Sequence, residues 1–68
     1  MQLKINGTVH EYELEPATLS KLLEVLDIGS VSGTAVAVND RVVPRSTWAD
    51  HRLNEGDRIE VIRATQGG

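Results

Sequence analysis

The sequence predicts a two-layer α+β domain in which one amphipathic helix packs on one face of a mixed sheet of about five strands. Three observations support this fold class. A β-hairpin signal opens the chain, a single leucine-rich segment has helical spacing, and several short β-prone segments bounded by turn residues follow it. Because a single helix covers only one face of a sheet, we expect the opposite face to be solvated.

The first predicted element is the β-hairpin. Residues 2–6 alternate polar and apolar side chains, which places Leu3 and Ile5 on the same face. Asn6-Gly7 is the strongest two-residue hairpin signal, because a type I′ turn requires positive φ at both central positions. Residues 8–14 are expected to form the returning strand, which Pro16 interrupts.

A single helix is predicted after the hairpin. Leucines at positions 19, 22, 23 and 26 have the i, i+3, i+4, i+7 spacing of one apolar helix face. We expect Thr18 to be the N-cap, although Lys21 stands where a Glu or Gln would complete a capping box. Gly29 is predicted to end the helix, and a loop of small residues continues from it to Gly33.

The second half of the chain predicts three more strands, over residues 35–38, 41–43 and 58–64, with a tight turn at Asn39-Asp40. Ser46 is expected to cap a brief helical turn over residues 47–50. This order of elements fits a ubiquitin-like β-grasp fold over residues 1–63, followed by a flexible C-terminal tail over residues 64–68. The predicted core comprises Leu3, Ile5, Leu14, Leu19, Leu22, Leu23, Leu26, Val36, Val38, Leu53, Ile59 and Val61.

The composition of the chain limits what the folded body can do. Its 68 residues include no cysteine, which excludes thiol chemistry. The two histidines, His10 and His51, lie on different elements, so we expect them to be solvated and expect no metal site. The net charge is −3 without a basic cluster for nucleic acid, and the apolar segments are too short to cross a membrane. No serine lies in a hydrolase motif. We expect a cytoplasmic domain that is not an enzyme and binds no cofactor, nucleic acid or membrane.

The C-terminal tail remains as a candidate for chemistry. It ends in Gln66-Gly67-Gly68, and since glycine has no side chain, this segment can enter a slot too narrow for a Cβ and presents only the α-carboxylate of Gly68. Extended, residues 64–68 span about 17 Å. A carboxylate is a poor electrophile, so its reaction requires ATP, Mg²⁺ and an activating enzyme that forms an acyl-adenylate. An unstructured terminus without function is the alternative interpretation.

Two apolar side chains are candidates for contact with a partner. Strand alternation places Ile62 on the outer face beside Arg58, Glu60 and Arg63, close to the start of the tail, which makes it a candidate docking contact. A singly exposed apolar side chain without function is the alternative.

Trp48 is expected to fill a satellite of the core rather than to anchor an interface. Arg41 and Arg45, which could contact an acidic partner, are expected to stay solvated.

From Leu3 to Gly68 the sequence resembles the ThiS family of sulfur carrier proteins of thiamin biosynthesis. The most specific part of the resemblance is Val-Pro-Arg-Ser-x-Trp at residues 43–48 together with Gln-Gly-Gly at residues 66–68. Further matching segments are Ile5-Asn6-Gly7, the leucine-rich helix, residues 36–39, and Leu-Asn-Glu-Gly-Asp-Arg-Ile-Glu at residues 53–60. Tyr12 departs from the family, which often has Phe there.

The resemblance implies a specific chemistry and specific partners. A ThiF-like enzyme would adenylate Gly68, a cysteine desulfurase or another persulfide donor would supply sulfur, and the resulting thiocarboxylate would deliver it to thiazole synthase. ATP and Mg²⁺ would be used by the activating partner and not bound by the carrier. Gly67 and Gly68 would carry the chemistry, and the docking contacts would be Ile62, Arg63, Ala64 and Thr65.

Three other functions remain open from the sequence. A MoaD-like carrier for molybdopterin synthesis, or for another sulfur-transfer pathway, would share the fold and the tail. A β-grasp interaction module with an inert tail would need only the folded body. A ubiquitin-like modifier would use the same carboxylate of Gly68 to form an isopeptide bond with a lysine.

Overall fold

A computed structural model describes residues 1–28 and 33–63, the last of these by its backbone alone. The elements are β1 (Gln2–Ile5), β2 (Thr8–Glu11), α1 (Leu19–Val25), β3 (Thr34–Val38), β4 (Arg41–Val42), a 3₁₀ helix (Arg45–Thr47) and β5 (Arg58–Arg63). The strands form one sheet in the order β2-β1-β5-β3-β4. The central strands β1 and β5 run parallel, and the other neighbouring pairs are antiparallel. The predicted β-grasp architecture, with its last strand beside the first, is confirmed.

The opening hairpin has the predicted two-residue turn. Asn6 and Gly7 have φ values of 48° and 87°, and Ile5 pairs directly with Thr8. The returning strand, however, ends at Glu11 and not at residue 14 as predicted. The regular pairing of β1 with β2 ends at Gln2 opposite Glu11. Beyond this pair, the N–H of Tyr12 still donates to the carbonyl of Met1 at 2.8 Å, so backbone contact continues for one residue outside the strand.

The helix begins as the sequence predicts but ends earlier. The Oγ1 atom of Thr18 accepts a 3.2 Å hydrogen bond from the N–H of Lys21, so Thr18 is the N-cap. The C-terminal cap contains Asp27, whose φ is 59°, and the N–H of Ile28 donates to Leu23 at 3.0 Å. This is the Schellman arrangement, with an aspartate in the left-handed position that glycine usually occupies. The predicted end at Gly29 is wrong; Gly29 itself, with the rest of the 29–32 segment, lies outside the described residues.

The short helical turn before β5 also differs from the prediction. It is a 3₁₀ helix that begins two residues earlier, at Arg45, and its N-cap is Pro44 and not Ser46. The carbonyl of Pro44 accepts hydrogen bonds from both the N–H and the hydroxyl of Thr47, at 2.9 and 3.0 Å. These two bonds fix the turn from its proline side, so no serine cap is required.

The core lies between the helix and the inner face of the sheet. Buried residues that the sequence predicted are Leu3, Leu19, Leu22, Leu23, Val36, Val38, Leu53 and Ile59. The other predicted core residues, Ile5, Leu14, Leu26 and Val61, are partly buried and pack against this cluster. Trp48 is buried, as predicted, and Val43 is a buried residue that the prediction missed. Within the described residues, no helix has the length and apolar character needed to span a membrane.

Candidate functional site

The described part of the candidate site is the end of β5, from which the chain continues toward Gly68. On one side, β5 pairs with β3 as far as Thr34 opposite Arg63. On the other side, the β1 register reaches only Ile5 opposite Ile59. The last residues of β5 are therefore paired through a strand on one side only, as far as the described residues show.

Asn6 extends the contact on the β1 side by means of its side chain. The backbone N–H of Asn6 donates to Ile59 at 2.9 Å, which is the last backbone bond of the β1–β5 ladder. The N–H of Val61 then donates to Oδ1 of Asn6 at 2.8 Å, and Nδ2 of Asn6 lies 3.5 Å from the carbonyl oxygen of Val61. The amide side chain thus holds β5 two residues beyond the end of the backbone ladder.

Ile62 lies on the outer face of the sheet, as the alternation predicted, and 60 % of its surface is exposed. It does not lie alone. Ala35 is directly opposite Ile62, and Ala37, on the same strand, is opposite Val42, which is 74 % exposed. We call Ala35, Ala37, Val42 and Ile62 the outer-face patch. It is a small apolar strip on the face that the helix leaves uncovered.

The charged residues predicted to flank Ile62 differ in their surroundings. Arg58 forms an exposed ion pair with Asp40, with 2.9 Å between Nη2 and Oδ2. Glu60 is exposed and lies opposite Ala37. The side chain of Arg63 lies outside the described residues, as do Ala64, Thr65, Gln66, Gly67 and Gly68. The predicted tail and its contacts therefore stay predictions.

A buried carboxylate at the start of β5 was missed by the sequence reasoning. Oδ1 of Asp57 accepts a 3.0 Å hydrogen bond from Nδ2 of Asn39, and Oδ2 accepts a 2.9 Å bond from the N–H of Asn54. Oδ1 of Asn39 in turn accepts from the N–H of Arg58 at 2.9 Å. Asp57 therefore ties the two turns beside β5 together. The Asn-Glu-Gly-Asp segment indicated a turn but not its partner.

The remaining sequence candidates do not form a reactive cluster. His10 is exposed on β2, with its ring centroid 6.0 Å from that of Tyr12, whereas His51 follows the 3₁₀ helix. No group of three or more acidic or histidine side chains in the described ranges could hold a metal ion. The guanidinium of Arg45 lies 4.8 Å from the centre of the Trp48 ring, a cation–π contact that was not predicted.

Comparison with known families identifies the family of the chain, which the geometry of the described residues does not. The sequence model of the ThiS family matches residues 3–68, which is nearly the whole chain and includes the Gly-Gly end. The chain belongs to the ThiS family. The resemblance seen in the sequence is thereby confirmed.

Individual relatives agree with this membership. Over all 68 residues the ThiS-family chain is 38 % identical to the sulfur carrier protein ThiS of Escherichia coli and covers 86 % of it. The crystal structure of a thiamine biosynthesis protein (ThiS) from Geobacter metallireducens superposes with a TM-score of 0.82, with each chain fully covered. At 24 % identity that structure supports the fold alone.

A longer protein also contains a ThiS-like segment. The full chain is 34 % identical to part of a thiazole synthase from Paramagnetospirillum magneticum, and this part makes up 20 % of that protein. That thiazole synthase therefore contains a ThiS-like segment as about one fifth of a single longer polypeptide.

Proposed function

We propose that this ThiS-family chain carries sulfur as a thiocarboxylate on Gly68 and delivers it to thiazole synthase in thiamin biosynthesis. The observation that supports this most strongly is the family match, which runs through the Gly-Gly end. The protein is a sulfur carrier and not an enzyme, in agreement with its E. coli relative.

The fold suits a carrier that presents its terminus to other proteins. The helix and sheet form a compact handle, and the chain leaves it from β5, a strand at the centre of the sheet. From there, the extended 64–68 segment would reach about 17 Å. Since Gly67 and Gly68 have no Cβ, they can enter a slot in a partner that admits only backbone.

The chemistry at Gly68 proceeds in three steps. A carboxylate oxygen attacks the α-phosphorus of ATP and displaces pyrophosphate, with Mg²⁺ of the activating partner neutralising the phosphate charge. The sulfur of a persulfide then attacks the acyl carbon, and AMP leaves with the original carboxylate oxygen. Reductive cleavage of the S–S bond by a thiol leaves one sulfur in place of one oxygen. The carrier contributes the reacting carboxylate and its position.

Three kinds of partner follow from this chemistry. A ThiF-like enzyme forms the adenylate, a cysteine desulfurase or another persulfide donor supplies the sulfur, and thiazole synthase receives it. The thiazole synthase with a ThiS-like segment supports the last of these. Docking would use Ile62 on the outer-face patch together with Arg63, Ala64 and Thr65.

Isotope exchange between pyrophosphate and ATP tests the first step. The ThiF-like enzyme is incubated with ATP, Mg²⁺ and either the wild-type chain or a chain that lacks Gly68. We expect exchange with wild type only, because the shortened tail places its carboxylate one residue too close to the body. Equal melting temperatures of the two chains would show that the deletion leaves the fold intact. Equal exchange rates would refute the assignment of Gly68 as the activated residue.

A further inference from the structure

Asn6 has a role that its place in a hairpin turn does not explain. In a parallel ladder, the bond after that from Asn6 to Ile59 would run from the N–H of Val61 to the backbone carbonyl of residue 6. Here the side-chain oxygen of Asn6 accepts that bond at 2.8 Å. Asn6 has a φ of 48°, as the turn requires, so its backbone no longer follows the strand direction.

We infer that Asn6 is a positioning residue that fixes where the C-terminal tail leaves the sheet; this inference rests on the proposed function. Val61 lies on the strand that leads to Gly68, and seven positions separate the two residues. With the Asn6 bond, β5 is held on both sides as far as Val61. Without it, the last contact on the β1 side is the backbone bond at Ile59.

The expected benefit is a smaller entropic cost when a partner binds the tail. Every residue that is already fixed in the free carrier need not be ordered in the complex, so the free energy of binding improves. Once the tail is bound, the adenylation chemistry at Gly68 is the same. Loss of the Asn6 bond should therefore raise KM for the carrier and leave kcat unchanged.

Two substitutions separate the side-chain bond from the turn. Asn6→Gly gives Gly-Gly and Asn6→Asp gives Asp-Gly, and both pairs suit a type I′ turn. The glycine variant has no acceptor for the Val61 N–H. The aspartate variant keeps a carboxylate oxygen in that place and loses only the weak contact from Nδ2, which is 3.5 Å long. Aspartate is thus the conservative rescue.

Amide hydrogen exchange measures the bond independently of any activity. We expect the Val61 amide to exchange about threefold to tenfold faster in Asn6→Gly than in wild type, from the loss of one hydrogen bond. In Asn6→Asp it should stay near the wild-type rate. The Leu53 amide, which donates to Ala17 at 2.8 Å, is the reference for any change in overall stability, and the Val61 rate should rise more than the Leu53 rate. An unchanged Val61 rate in Asn6→Gly would overturn the inference.

Pyrophosphate exchange with the ThiF-like enzyme then measures the consequence. For Asn6→Gly we expect KM for the carrier to rise about threefold to tenfold at constant kcat, with Asn6→Asp close to wild type. Faster Val61 exchange with an unchanged KM would overturn the positioning role while leaving the proposed function intact. A wild-type chain that supports no exchange at all would instead overturn the proposed function, and the positioning role with it.

Discussion

The indole N–H of Trp48 donates a buried 2.8 Å hydrogen bond to the backbone carbonyl of Val43. These two residues are the first and last of the Val-Pro-Arg-Ser-x-Trp segment, the most specific internal part of the family resemblance. Between them, Thr47 bonds to Pro44, and Arg45 lies over the Trp48 ring. The segment is therefore a structural unit that closes one end of the core.

Replacing Trp48 with phenylalanine is expected to lower the free energy of unfolding by about 1–3 kcal/mol, because the Val43 carbonyl loses its buried partner. Urea denaturation measures this difference. Val42→Ala serves as the control, since Val42 is 74 % exposed and its truncation should change stability by about 0.5 kcal/mol or less. A Trp48→Phe variant as stable as wild type would show that this bond has no net stabilising effect.

Asp57 and Asp40 provide a matched pair for the same substitution. Asp57→Asn replaces one of the two accepting oxygens with an NH₂ group, which then faces an existing N–H donor. We expect the free energy of unfolding to fall by about 1–3 kcal/mol. Asp40→Asn removes only an exposed ion pair with Arg58 and should cost about 1 kcal/mol at most. Urea denaturation of both variants tests this order. Equal losses of stability in the two variants would contradict the claim that the buried Asp57 carboxylate contributes more than the exposed Asp40 carboxylate.

The free amino group of Met1 should make stability depend on pH. Its hydrogen bond to Glu11, at 2.8 Å, and the attraction of nearby carboxylates raise its pKa above the ordinary value of 8.0, although burial opposes this. Since folding favours the protonated amine, this stabilisation is fully present below pH 8 and is lost as the pH rises through the higher folded-state pKa. We expect the urea midpoint to fall more steeply above pH 8 in wild type than in Glu11→Gln. Parallel pH profiles would contradict this.

Ile62 and Val9 test whether the outer-face patch docks a partner. Their exposed fractions are nearly equal, 60 % and 59 %, but Val9 lies on the distant edge strand β2. Neither truncation to alanine should change the free energy of unfolding by more than about 0.5 kcal/mol. Only Ile62→Ala is expected to raise KM for the carrier in pyrophosphate exchange, by about fivefold or more if Ile62 is an interface contact worth 1 kcal/mol. An equal effect of both variants would argue against a specific docking site at Ile62.

The sequence predicted the elements whose signals are local. Both two-residue turns, the Thr18 cap and the helical leucine face follow from the residues at those positions. The errors occur where the end of an element is set by a residue distant in sequence or by a residue in an unusual backbone conformation. The regular pairing of the returning strand ends where Gln2 lies opposite Glu11, and the helix ends at Val25 because Asp27, just beyond it, adopts a left-handed conformation.

The site was predictable to a similar degree. Strand alternation alone placed Ile62 on the outer face, and this was correct. The bond between Asn6 and Val61 could not be predicted, because it joins residues 55 positions apart and depends on the register of β1 against β5. The same holds for Asp57, which bonds to Asn39 across two turns.

The proposed carrier function depends on conversion of the Gly68 carboxylate to a thiocarboxylate. Intact-mass spectrometry measures it directly after incubation of the wild-type chain with ATP, Mg²⁺, a ThiF-like enzyme, a persulfide donor and a reducing thiol. We expect a mass gain equal to the exchange of one oxygen for one sulfur, located at residue 68 by fragmentation and absent without ATP. An unchanged mass, in a reaction that modifies the E. coli carrier in parallel, would contradict the carrier function.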